Sequence, residues 1–195
     1  MGNGRKKNRP TQPPTTTPTG WTFYYGQPNP AMNADGVSSN WTESPYVEPH
    51  YWLKGWTTPF LPSQSISIAY KIEALSGTPV VHSTECTASQ NSATLARAAL
   101  FIGSGSSSGY YDRAWFMTRG PLTIGTHTIT APFNSPSWTF VNANTGPVQN
   151  PSQWAAILAN ANKIGLTFNG CSSMGHGVFV VGGSVKITIV SVTVQ

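Results

Sequence analysis

Charged residues are scarce in this chain of 195 residues: they make up 9% of the sequence, against about 25% in an average soluble domain. Helix bundles and coiled coils need Glu, Lys, Leu and Ala in bulk, so this scarcity excludes them. Full disorder is excluded as well, because 38% of the residues are hydrophobic and 11% are aromatic. No apolar run approaches the length of about eighteen residues that a membrane-spanning helix needs, and we expect no membrane partner.

Cysteines and acidic residues are too few and too scattered for a recognisable metal or catalytic site. Cys86 and Cys171 lack CxxC spacing, which gives no zinc motif, and we expect two buried thiols, with one disulfide as the alternative. The six acids form no close cluster, which disfavours both calcium and a glycosidase carboxylate pair. His176 lies between two glycines near Cys171, and we expect it to shape a hairpin rather than to serve a catalytic Cys–His pair. The sequence therefore predicts a protein that is not an enzyme, with no metal, no cofactor and no catalytic residues.

The net charge of +5 is concentrated at the N-terminus. Without Arg5, Lys6, Lys7 and Arg9, the eleven basic residues fall to seven, against six acids. Residues 1–20 also contain four prolines, so we expect an extended, polyproline-like arm, with a solvated tail as the alternative. The basic stretch is followed by Pro and Thr instead of an apolar segment, and we therefore expect no signal peptide and synthesis in the cytoplasm.

Strand patterns dominate the body, residues 21–195. Residues 65–74 alternate polar and apolar side chains, which predicts a half-buried strand, and residues 184–194 alternate with a shift near Val190 that indicates a bulge. Six prolines predict that residues 26–63 form a long loop. Shorter strands are expected at 21–25, 97–102, 110–118, 126–130, 138–141, 163–168 and 177–181.

One helix is predicted, with Ser152 as its N-cap and an apolar face of Trp154, Ile157, Leu158 and Ala161. Short strands separated by Gly and Pro turns, with a single helix, are typical of an all-β antiparallel sandwich. The long connections favour a jelly roll over an up-and-down barrel. The predicted organisation is thus an extended N-terminal arm at 1–20 and a single jelly-roll β-sandwich domain at 21–195.

A series of short motifs in the C-terminal part supports this fold. They are Pro151–Trp154, Leu158–Asn160, Ile164–Phe168 and Gly175–Val178, with Tyr111–Phe116 upstream. Over about half of the chain, this pattern resembles the carbohydrate-binding-like and laminin-type jelly-roll domains of bacterial surface proteins. In those domains a short helix leads into a Gly-initiated strand and a final hairpin, so the resemblance implies a jelly-roll scaffold.

The whole layout is similar to that of small viral coat proteins and phage capsid-decoration proteins. That similarity implies a virion structural protein, made in the host cytoplasm, whose partners are other virion subunits in a homo-oligomer. The arm residues Arg5, Lys6, Lys7 and Arg9 would attach it to neighbouring subunits or to nucleic acid. Four phosphate contacts give only weak, salt-sensitive binding, which favours attachment to protein.

Aromatic residues supply the candidate contact surfaces. On a strand, Tyr111, Arg113 and Trp115 share one face, and with Trp138 they are candidate contacts to a glycan or to another protein. The alternative is that Trp115 belongs to the core and Arg113 merely covers it. In the expected loop, an exposed apolar patch would be a candidate subunit contact; its members are Trp41, Tyr51, Trp52 and Trp56. Virion structural protein is the leading functional hypothesis, and a carbohydrate-binding, lectin-like module is the alternative.

Overall fold

The computed structural model describes residues 20–24, 30–44, 50–84, 96–104, 112–141, 145–170 and 174–195. Its strands are β1 (Trp21–Tyr24), β2 (Ser38–Ser44), β3 (Tyr51–Gly55), β4 (Ser65–Ser83), β5 (Arg97–Gly103), β6 (Arg113–Phe116), β7 (Gly120–Pro121), β8 (Gly125–Pro132), β9 (Trp138–Phe140), β10 (Lys163–Asn169) and β11 (Val178–Val194), and its helix is α1 (Pro151–Asn160). A four-stranded sheet has the order β2-β11-β4-β8. A seven-stranded sheet has the order β1-β3-β10-β5-β6-β9, and β7 pairs with β5. Every pairing is antiparallel, which confirms the all-β antiparallel sandwich, while jelly-roll connectivity stays a prediction at this point.

The core lies between the two sheets. On β4 the predicted alternation is confirmed, because Ile66, Ile68, Tyr70 and Ile72 are all at most 1% exposed. The seven-stranded sheet opposes them with apolar side chains of β5 and β10, namely Leu100, Ile102, Ile164, Leu166 and Phe168. Burying one such side chain stabilises the fold by roughly 1.5–3 kcal/mol, so this layer is the main source of stability.

The single helix begins slightly earlier than predicted. Pro151 occupies the first turn and Asn150 is the N-cap residue, without a side-chain capping bond, because proline fits this position, where the missing N–H has no partner in the helix. The predicted apolar face is confirmed: Trp154, Ile157 and Leu158 are buried on it. Among the described residues, no helix is long and apolar enough to cross a membrane.

The predicted loop at 26–63 is wrong, because it contains β2 and β3. Trp41 on β2 packs edge-on against Phe168, with ring centroids 5.4 Å apart, and Trp52 on β3 packs against Trp21 at 5.7 Å. Both are at most 1% exposed. Their assignment as exposed subunit contacts is therefore wrong: they fill the space between the sheets. Trp56 is half-buried and stacks on the ring of Phe60 at 5.3 Å.

The ladder between β4 and β11 is longer than the sequence predicts. The strand expected at 65–74 continues to Ser83, and the two strands expected at 177–181 and 184–194 are one. A register shift between Ile189 and Ser191 confirms the bulge near Val190. Midway, Gly77 lies opposite Gly183. Gly77 has a φ of +65°, and a Cβ there would overlap the carbonyl oxygen of Gly182. The two strands can therefore approach this closely only with glycine at this position.

Replacing Gly77 by Ala should therefore destabilise the fold. We expect a loss of about 1–3 kcal/mol in the free energy of unfolding, because the new Cβ meets both a left-handed backbone and a carbonyl oxygen. Urea unfolding followed by tryptophan fluorescence would measure it. Gly55→Ala is the matched control, since nothing lies within 4 Å of a Cβ at that position. Equal stabilities of the two variants would show that the ladder does not need this glycine.

Candidate functional site

The seven-stranded sheet presents a second, outward face. On β5, Ala98, Leu100 and Ile102 belong to the core, so the intervening residues point outward. On β6, Ala114 and Phe116 are buried, while Arg113 and Trp115 are half-buried on the opposite face. The structure thus brings Arg113 and Trp115 to one face of one strand.

A small hydrophobic cluster lies on that outward face. It consists of Tyr51, Leu53, Phe101 and Val141, and Trp115 packs against it. Trp115 lies opposite Phe101 in the β5–β6 register, and the rings of Tyr51 and Phe101 meet edge-to-face at 5.2 Å. Such pairs contribute roughly 0.5–1.5 kcal/mol beyond the area they bury, which stabilises the surface against which Trp115 packs. Tyr51, assigned to an exposed contact patch from the sequence, is 6% exposed and belongs to this cluster instead.

Beside this cluster lies a cleft of about 220 Å³. Its walls come from β3, from β6, from the residue after β9 and from the turn that leads into β11. The lining residues are Tyr51, Arg113, Trp115, Val141, Met174, Gly175 and His176. Four separate parts of the chain therefore meet here, and three of the lining residues, Tyr51, Arg113 and Trp115, are predicted contact residues.

Hydrogen bonds join the turn at 174–177 to β10 of one sheet and to the residue after β4 of the other. The amide of Gly175 donates to the carbonyl of Phe168 at 3.0 Å, and the Thr84 hydroxyl donates to the carbonyl of His176 at 2.6 Å. Gly175 has a φ of +84°, and a Cβ there would overlap the hydroxyl of Tyr51. The turn can therefore rest on the Tyr51 ring only with glycine at this position. His176 is exposed at the cleft rim. The hairpin expected around it is wrong, because the chain passes here from β10 in one sheet to β11 in the other.

The positive charge of Arg113 in the cleft is paired with the neighbouring carboxylate of Asp112. The Arg113 Nε lies 3.2 Å from the Asp112 Oδ1, and the two side chains are 15% and 20% exposed. This contact uses one of the five N–H donors of the guanidinium. An indole face, a planar donor group and an imidazole next to one another can stack on a sugar ring and donate hydrogen bonds to its hydroxyls.

Trp138 does not belong to this surface, and its assignment as a contact residue is wrong. It is 1% exposed, its indole N–H donates to the Pro132 carbonyl at 2.9 Å, and its ring lies 5.2 Å from that of Trp154. The β6–β9 register explains the difference, because Thr139 and not Trp138 lies opposite Trp115. Alternation on β9 then turns Trp138 into the core.

Several predicted residues lie outside the described part of the chain. They are the arm residues Arg5, Lys6, Lys7 and Arg9, the strand residue Tyr111, and Cys86 and Cys171. Conversely, sequence reasoning did not connect Val141, Met174 or His176 with Trp115. The only local signal was the pair of glycines around His176, which indicated a turn but not the strand that the turn contacts. Within the described ranges, no group of three or more His, Cys, Asp and Glu side chains could hold a metal ion.

Comparisons with known proteins give no relative for this chain. No family model matches it, and neither a curated protein nor a solved structure matches it. The likeness to jelly-roll domains therefore rests on the C-terminal sequence motifs, and the likeness to virion proteins rests on the overall layout of the sequence.

The different positions of the two tryptophans can be tested by truncation. We expect Trp138→Ala to lower the free energy of unfolding by about 3–5 kcal/mol, because it opens a cavity in the core. Trp115→Ala should cost only about 1 kcal/mol, because its ring is half-buried against the outer cluster. Chemical unfolding of both variants provides the comparison. Similar losses would mean that Trp115 is as much a core residue as Trp138.

Proposed function

We propose that this protein is a non-enzymatic structural protein of a virion, either a capsid-decoration protein or a small coat protein. In this proposal the body is a jelly roll that contacts neighbouring subunits in a homo-oligomer. The N-terminal arm, with Arg5, Lys6, Lys7 and Arg9, attaches the protein to other virion subunits, with weaker contacts to nucleic acid. The observation that carries the proposal is the order in which the strands pair.

Eight of the strands pair as one long hairpin that is folded over on itself. In chain order these are β2, β3, β4, β5, β6, β8, β10 and β11. The first pairs with the last, the second with the seventh, the third with the sixth and the fourth with the fifth. Two further ladders, β4 with β11 and β5 with β10, join these pairs into two sheets. Eight strands connected in this way support a jelly roll, a fold that serves viral capsids and lectins.

A second observation concerns where a neighbouring subunit would bind. Beyond Ile72 the β4–β11 ladder extends past β8, and there Leu75 and Val181 are 50% and 40% exposed. An apolar groove of about 210 Å³ lies beside it, lined by residues 79–81 and 122–124. Val181 lies opposite Val80 of this groove in the strand register, and adjoining exposed apolar groups mark interfaces. This surface replaces the buried Trp41 and Trp52 as the candidate contact with a second copy of the chain.

Light scattering of the full-length protein at low and high salt tests this proposal. We expect a defined oligomer or a larger closed assembly. Val181→Asp should prevent it, because burying an unpaired carboxylate in an apolar contact is costly. Val190→Asp is the matched control on the same strand, at a valine that is 51% exposed on the bulge.

A second full-length variant, with Arg5, Lys6, Lys7 and Arg9 all replaced by Gln, tests the arm. If the arm acts through charge, assembly of the parent protein should weaken at high salt, and this variant should show that weakness already at low salt. A protein that stays monomeric under every condition would contradict the coat-protein form of the proposal. Unchanged assembly of the variant would remove the role of the arm.

A carbohydrate-binding function is the second candidate, and the cleft favours it. Trp115 and Arg113 line one wall, and the aromatic ring can stack on a sugar while the guanidinium donates to its hydroxyls. A glycan array with the purified protein tests this function. Trp115→Ala should lose the bound glycans, whereas Met117→Ala, at an exposed position just after β6, should retain them. Binding to no sugar at all would exclude this candidate.

A further inference from the structure

The arginines of the body all lie on or beside strands of the seven-stranded sheet. Residues 20–195 contain three of them, Arg97, Arg113 and Arg119, while their lysines are spread over both sheets. Arg97 begins β5, Arg113 begins β6, and Arg119 lies in the link between β6 and β7. Arg113 is paired with Asp112, as described above. The other two raise a separate question, because neither forms an ion pair with any described residue.

Arg97 and Arg119 meet at one corner of the seven-stranded sheet. Arg97 lies between Asn169 on β10 and Pro121 on β7 in the strand register. Arg119 precedes Pro121 by two residues, and its Nη1 donates at 3.2 Å to the carbonyl of Gly170, the residue after Asn169. The Nη1 of Arg97 donates at 3.0 Å to the carbonyl of Ala96. Both guanidinium groups are thus fixed by backbone carbonyls of neighbouring strand ends.

The described acids are engaged elsewhere. Glu73 pairs with Lys71 at 2.7 Å on β4, and the Asp35 carboxylate accepts hydrogen bonds from the amides of Val37 and Ser38. Asp112 is the partner of Arg113, and the remaining acid, Glu43, is on β2 in the other sheet. In the described ranges, the two arginines therefore have only carbonyl dipoles to balance two full charges.

Two like charges held together in a partly desolvated place are unfavourable unless an anion joins them. Both side chains are half-buried. Burial lowers the pKa of Arg119, and the positive charge of Arg97 lowers it further. Lysine would keep the same charge, but the planar fork of arginine matches the oxygens of phosphate and carboxylate groups in paired hydrogen bonds.

We propose that Arg97 and Arg119 form a binding site for a phosphate-type oxyanion. With two cations and several free N–H donors, the site suits a doubly charged oxyanion better than a single carboxylate. The oxyanion could be free phosphate or a phosphate of a nucleic acid, which share this chemistry. The site lies in the folded body and does not depend on the basic arm or on the proposed virion role.

Titration of the full-length protein with inorganic phosphate, followed by melting temperature and by calorimetry, tests the site. Phosphate should raise the melting temperature more than sodium chloride does at equal ionic strength. Arg97→Gln and Arg119→Gln should each weaken phosphate binding by about tenfold or more, as expected for the loss of one charge-assisted contact. Lys71→Gln removes one positive charge from β4 and should bind phosphate like the parent protein.

The direction in which Arg97→Gln changes the free energy of unfolding distinguishes an anion-binding role of this arginine from a purely structural one. Without phosphate, Arg97→Gln should be at least as stable as the parent, because it relieves the repulsion between like charges. With phosphate in excess, the order should reverse. Arg119→Lys keeps the charge but loses the planar fork, and it should show intermediate binding. No phosphate-specific effect in the parent, or equal effects in the parent and both Gln variants, would overturn the proposal.

Competition identifies the source of the oxyanion. A short single-stranded RNA that displaces phosphate from the parent protein, and fails to bind the double variant Arg97→Gln/Arg119→Gln, assigns the site to nucleic-acid phosphate. Phosphate binding that such an RNA does not displace assigns it to free phosphate. Since the arm adds its own salt-dependent attraction, both titrations are repeated with its four basic residues replaced by Gln. Loss of assembly in that background, with phosphate binding intact, would separate this site from the proposed virion role.

Discussion

The ladder between β4 and β11 is the constraint on which the rest of the structure depends. It runs from the pair of Ile66 and Val194 to the pair of Ser83 and Val178, and its open end is closed by two hydrogen bonds between Ser65 and Gln195, at 2.9 and 3.1 Å. β2 pairs with the free edge of β11, and β8 pairs with the free edge of β4. The inward side chains of these two central strands also form one wall of the core. β4 and β11 are therefore the two central strands of the four-stranded sheet, and the second sheet packs against their inward side chains.

The same ladder also positions the cleft on the opposite sheet. Its far end, at Val178, fixes where the turn at 174–177 ends. The amides of Gly175 and Gly177 donate to the carbonyl of Phe168 on β10. Thr84, just beyond β4, holds the other side of the turn. Because the turn is bound to both sheets, the position of His176 relative to Trp115 follows from the ladder register. A change of register at the Gly77–Gly183 pair would thus displace residues of the cleft as well as residues of the core.

The alternating strands and the helix could be predicted from sequence because each buries one face and exposes the other. β2 and β3 could not, for two different reasons. On β2, Ser38 and Ser39 are buried together with Trp41. An alternation of polar and apolar residues would predict that the two serines are exposed, so the strand has no recognisable pattern. On β3, Tyr51, Trp52 and Leu53 are consecutive and all buried, since both faces of that strand are covered. Prolines nearby then made the whole region resemble a loop.

For the site, the sequence could predict only what one strand determines. Alternation placed Arg113 and Trp115 on the same face, but it says nothing about which distant residues reach that face. Tyr51 and His176 join Trp115 through strand register and turn geometry, which are set by contacts between residues at least 92 positions apart in the chain. Trp138 was misplaced because a three-residue strand is too short to show from sequence which of its faces is buried, and the β6–β9 register fixes its direction.

Because the body contains few charged residues, an unpaired charge has few possible partners within the fold. An exposed arginine loses little stability without an acidic partner, because exposed ion pairs contribute at most about 1 kcal/mol. Here the described ion pairs are those of Lys71 with Glu73 and of Arg113 with Asp112, and both are between near neighbours in sequence. The two half-buried arginines at the sheet corner have no acidic partner among the described residues, and they lie on the sheet that also carries the cleft. The oxyanion proposed to bind there would supply the missing negative charge, and this sheet would then carry the proposed anion site as well as the candidate glycan cleft.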